Sequence, residues 1–128
     1  MKKSQYIEWA EAYATQPEKR LEIARKSIAE TSREIKRILT RPFGVVELVE
    51  PVAFASVMLE QLRWVHGQDD PVYEISDAVI RHIRAKILAS RHSYRMAKTG
   101  LVFCHIIQGK EIPKWIMRIW KRQRKKNA

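Results

Sequence analysis

Apolar residues recur along most of this 128-residue chain at intervals of three and four, the period of helices packed on one side. Tyr6, Ile7, Ala10 and Tyr13 share one face of a first helix that Ser4 can cap. Thr15, Pro17 and Glu18 then read as a stop and a restart. Thr15 and Glu18 have capping-box spacing, and proline fits a first turn. Over 18–41, Leu21, Ala24, Ile28, Thr31, Ile35 and Ile38 follow a 3-4-3-4-3 spacing, a heptad seam. Ala24 and Thr31 keep that seam shallow, which suits a close antiparallel helix better than a free coiled coil. On its polar side Glu22 and Lys26 stand at i,i+4 in the favourable order.

Arg41, Pro42, Phe43 and Gly44 end the second helix. Residues 45–50 are largely β-branched and read as strand or loop. Glu50 and Pro51 are expected to open a third helix, with Phe54, Val57, Met58, Leu62 and Val65 inward and Gly67 as its stop. Asp70 and Pro71 suit the start of a fourth helix, whose inward row is Ile75, Val79, Ile83, Ile87, Ser90 and Tyr94. That helix either runs to Lys98 or bends between Ser90 and Ser93. Residues 101–107 fit a strand paired with 45–49 or two buried helical turns. Pro113 begins a final helix with Trp115, Ile116, Ile119 and Trp120 on one side. The expected fold is all-α, a compact bundle of about five helices, or mainly α if 45–49 and 101–107 form a two-stranded sheet. One domain is expected over 1–120, with a basic C-terminal tail, 121–128, that need not be ordered.

Composition agrees with one globular domain: 45% of residues are hydrophobic, 30% charged, and only four are Gly and five Pro. No window approaches the roughly 18 apolar residues of a spanning helix. Glu8 and Glu11 interrupt the basic start, so no signal peptide is expected and the chain reads as cytoplasmic. Cys104 is the one cysteine, which excludes an internal disulfide and a thiolate zinc cluster. Within its apolar run it is expected to be a buried core thiol.

Charge adds the functional direction. The net charge is +11, yet residues 1–70 hold 11 basic and 11 acidic side chains. Residues 71–128 hold 14 basic and three acidic ones, Glu74, Asp77 and Glu111, so they carry the whole excess. Residues 17–41 are +4 and residues 42–70 are −4. On a continuous fourth helix, Arg84, Arg91, Arg95 and Lys98 fall within about 60° of one another, with Arg81 on the margin. This stripe flanks the apolar face, which puts it at the edge of a groove. The bland alternative is a solvated face with Asp77 and Arg81 as a local pair. Beyond residue 113 come Lys114, Arg118, Lys121, Arg122, Arg124, Lys125 and Lys126, with Trp115 and Trp120 among them and no acid. Such a segment suits phosphates, an anionic membrane surface or an acidic groove.

Residues 101–120 have the outline of a helix-turn-helix. His105, Gln108, Lys110 and Arg118, however, would fill positions that need small or apolar residues. His66, His82, His92 and His105 match no metal or catalytic spacing, and Asp69 and Asp70 beside Pro71 read as a turn. No catalytic residue, metal or cofactor is therefore expected. Two functions remain. One is a small basic nucleic-acid-binding protein that contacts DNA or RNA backbone through Arg81, Arg84, Arg91, Arg95, Lys98 and the C-terminal basic residues. The other is a non-enzymatic regulatory adaptor that docks its basic face on an acidic or nucleic-acid-bound partner. Membrane binding ranks below both, and the acidic segment 42–70 could mediate homo-oligomerisation. Size and isolated basic helices are similar in style to accessory proteins of phages and plasmids, a likeness that no motif carries.

Overall fold

Residues 46–64 are apolar on nearly every side, and a helix of that kind belongs in the middle of a bundle. The computed structural model, which describes residues 4–68 and 74–114, places it there. Helix is 76% of the structure, with no strand among the described residues. Five α-helices are described: α1 (Gln5–Thr15), α2 (Arg20–Leu39), α3 (Val46–Trp64), α4 (Asp77–Leu88) and α5 (Ser93–Ile107). The central α3 packs against α2, α4 and α5, and α1 closes the bundle against α2 and α5. Phe54 of α3 is fully buried between Tyr6 and Trp9 of α1 and meets Phe103 of α5 edge-on at 5.4 Å. That ring cluster joins three helices at one point.

Several local readings hold. The Ile7 N–H donates to Ser4 Oγ at 3.2 Å, the cap expected for α1. The seam of α2 is buried at Ala24, Ile28, Thr31, Ile35 and Ile38, and its narrowness lets α3 approach closely. Gly67 and Gly109 follow α3 and α5 with φ of +60° and +67°, the left-handed geometry in which glycine carries no Cβ strain.

Other readings are corrected. Residues 46–50 are neither strand nor loop but the start of α3, with Val45 as its N-cap, so the sheet with 101–107 does not form. Burial of Leu48, Val49 and Val52 overrides the weak β preference of branched side chains. Pro51 lies inside α3 rather than at its first residue. The true start is marked by Glu47, whose carboxylate accepts the Gly44 N–H at 3.1 Å and pairs with Arg41. Val65, expected inward, is 61% exposed. Thr15 does not form a capping box: its hydroxyl donates back to the Glu11 carbonyl, and a 3-10 turn over Pro17–Lys19 makes the restart. Arg20 closes α1 instead, its guanidinium donating to the carbonyls of Tyr13 and Ala14 at 2.9 and 3.0 Å.

The fourth helix also changes. It begins at Asp77 under a Ser76 cap, not at Asp70 and Pro71, which lie outside the described residues. Ile75 precedes it in a non-helical segment, where its N–H donates to Ser32 Oγ of α2 at 2.7 Å. The helix stops at Leu88. Ser90 Oγ donates to the Ile87 carbonyl and accepts the His92 N–H, competing with helical bonding at that point. Of the two readings offered there, the bend is correct, and 101–107 are the end of α5. The helix expected after Pro113 and the tail 121–128 lie outside the described residues.

Candidate functional site

The inward face of α4 decides where its arginines point. Ile80 and Ile87 are buried, whereas Val79 is 44% exposed and Ile83 only partly covered. At 100° per residue the helix is therefore turned by roughly 60° from the expected Val79–Ile83–Ile87 face. Asp77 supplies the reason. Its carboxylate is buried and takes the Arg63 guanidinium of α3 at 2.8 Å, with Arg81 as a second partner one turn along α4. This rotation carries Arg84 from the flank of α4 onto a groove between α3, α4 and α5.

The expected stripe is thus divided, because the helix that would have carried it is interrupted. Arg84 stays on α4, facing Ser56 and Glu60 of α3. Arg81 is exposed but held by Asp77. Arg91 lies in the turn between α4 and α5, while Arg95 and Lys98 lie on α5, where the Lys98 ammonium stands over the Tyr94 ring at 5.0 Å. Lys114 is exposed at the end of the described residues. Arg118, Lys121, Arg122, Arg124, Lys125 and Lys126 lie outside them.

Arg91 and Arg95 flank His92, whose imidazole is held below its usual range by burial and by these two cations. His92 is also the N-cap of α5 and makes no side-chain cap bond; no acid stands in that helix's first turn. The N-terminal amides of α5 and two guanidinium groups therefore share one corner. Among the described residues Arg91, Arg95, Lys86, Lys110 and Lys114 have no acidic partner. In the first half Lys36 pairs with Glu74 at 3.0 Å, Arg37 with Glu34 at 2.5 Å and Arg41 with Glu47 at 3.1 Å, while Arg20 and Arg25 donate to neutral oxygens. Lys86 and Lys110 were not singled out by helical periodicity, since neither belongs to the stripe; the absence of acid from 78–110 is the signal that includes them.

The groove itself holds about 340 Å³. Ala53 and Val57 of α3, Leu88 of α4, and Met96 and Leu101 of α5 make it mainly apolar. Cys104 lies at its wall and is only partly buried, so it is not the enclosed core thiol expected. Burial and the nearby Glu60 carboxylate push its thiol up from the ordinary value. Glu60 and Arg84 face the same space without an ion pair among the described residues. No helix among the described residues is long and apolar enough to cross a membrane. No family model, curated protein or solved structure matches the chain.

Proposed function

We propose that the chain is a nucleic-acid-binding protein that grips the phosphate backbone at the α4–α5 corner. Arg91 and Arg95 supply guanidinium forks suited to phosphate oxygens, and the first amides of α5 add the positive end of a helix dipole. Lys98, Lys110 and Lys114 extend this field, and Arg118, Lys121, Arg122, Arg124, Lys125 and Lys126 follow in sequence. The observation that carries this reading is the convergence of cations and helix amides on one corner. Arg91 and Arg95 flank the N-terminus of α5, and neither has an acidic partner among the described residues. Such contacts position a backbone without reading its sequence, so binding should be largely independent of base sequence.

The test uses fluorescence anisotropy of labelled duplex DNA and of RNA of matched length against the full chain. Both should bind, with little dependence on base sequence. Arg91→Glu with Arg95→Glu should weaken binding at least tenfold while the circular dichroism spectrum is unchanged. A folded protein that binds neither polymer contradicts the proposal.

A further inference from the structure

The groove between α3, α4 and α5 is not used by a phosphate-binding corner, and its chemistry is different. Its floor is apolar, Leu101 rises into it at 40% exposure, and polar groups gather at one end. A second hollow of about 110 Å³ shares Ser56, Glu60 and Arg84 with it and continues to Arg63, Asp77 and Arg81. From Ala53 to Glu60 the α3 wall runs seven residues, about 10 Å, which is two turns of an opposing helix.

We propose that this groove receives an amphipathic helix of a partner protein, apolar on its buried face and acidic along one flank. Helix-in-groove recognition needs an apolar trough that takes anchors at i, i+3 or i+4, and i+7, and this trough has that length and lining. Charge selects the flank. Arg84 projects into the shared polar end with no carboxylate paired to it, and beside it Arg81 and Arg63 both pair with the one buried carboxylate of Asp77. Glu60 and Ser56 on the opposite wall suit one amide or ammonium donor, which fixes the direction of the incoming helix. A second copy of the chain seated groove to groove is a poor occupant, because it would bring another Arg84 against the first. Nucleic acid is also a poor occupant, because an apolar floor gives phosphates no partner.

Gly100 and Cys104 provide the test. Gly100 lines the groove, and a Cβ built there meets nothing within 4 Å, so the side chain of Gly100→Leu can leave the backbone without strain and enter the groove, and leucine favours helix. Cys104, the chain's one cysteine, reports occupancy by its alkylation rate. Random 14-residue peptides displayed on phage are selected on the full chain. Enriched peptides should carry apolar residues at helical spacing and net negative charge, and at saturation they should slow Cys104 alkylation at least tenfold. They should lose at least tenfold affinity for Gly100→Leu, checked for folding by thermal melting, and for Arg84→Glu, whose side chain is exposed. An empty selection, net-basic peptides, or peptides that bind both variants as well as the parent overturn the proposal. So does faster Cys104 alkylation in Trp115→Ala/Trp120→Ala without peptide, which assigns the groove to the chain's own C-terminal segment.

Discussion

Asp77, the first residue of α4, is joined to Arg63 of α3 at 2.8 Å, and its carboxylate is more than nine-tenths covered. This pair holds α4 in the rotation that puts Arg84 on the groove and Val79 in solvent. Asp77→Asn removes the charge shared by Arg63 and Arg81. Both guanidinium groups are partly solvated, so the loss should be about 1–3 kcal/mol and not the larger cost of a fully buried pair. Urea unfolding measures it; a change below about 0.5 kcal/mol, typical of a surface site, contradicts the role given to Asp77.

The same rotation separates two neighbouring aliphatic residues. Ile80 is fully buried, so Ile80→Ala should cost about 2–4 kcal/mol through lost burial and a cavity. Val79→Ala should stay within about 0.5 kcal/mol. The reverse order in urea midpoints would restore the face expected from periodicity.

Periodicity was sufficient where one face alone is buried. Ala24, Ile28, Thr31, Ile35 and Ile38 could be picked out because α2 is polar on its other sides. At α3 it found Phe54, Val57, Met58 and Leu62 but missed the first turn and misplaced Val65, because Leu48, Val49, Val52 and Ala53 are also buried and leave no single face to set a phase. It failed again at α4, because an ion pair between Asp77 and a residue 14 positions earlier turned the helix. The basic character of the site was legible from the missing acids. Its division between a groove and a helix end was not, since that depends on Ser90 ending α4. Arg20 closing α1 is likewise a contact between elements, which helical spacing does not encode.

His66 should make stability depend on pH. Its Nε2 lies 2.9 Å from the Tyr13 hydroxyl, and burial, with Arg20 nearby, holds its pKa below 6.5. The unfolded chain then takes up the proton first, so stability is complete above about pH 6.5 and declines as pH falls toward the folded value. His66→Gln should make the melting temperature depend less steeply on pH between pH 7 and about 5.5, above the range where carboxylates titrate, leaving the share that His92 contributes. A histidine titration placing His66 at or above 6.5 would contradict this.

His92 should respond to the ligand. Burial, then Arg91 and Arg95, depress its pKa in the free protein, and a phosphate between the guanidinium groups would offset the cationic part. Its pKa should therefore rise when duplex DNA is added, and affinity should increase as pH falls through that range. NMR titration with and without DNA reads both; a His92 pKa unmoved at saturating DNA would place the phosphates elsewhere.

The most direct measurement is the salt dependence of DNA affinity. Each neutralised phosphate releases condensed counterions, so about five contacts predict a log–log slope near −4 to −5 on duplex DNA. Arg91→Ala and Arg95→Ala should each make the slope shallower by about one unit and leave sequence preference unchanged. Arg84→Ala, which faces the groove, should leave the slope unaltered. A slope near zero, or one that responds to Arg84 and not to Arg91 and Arg95, would contradict a phosphate site at the head of α5.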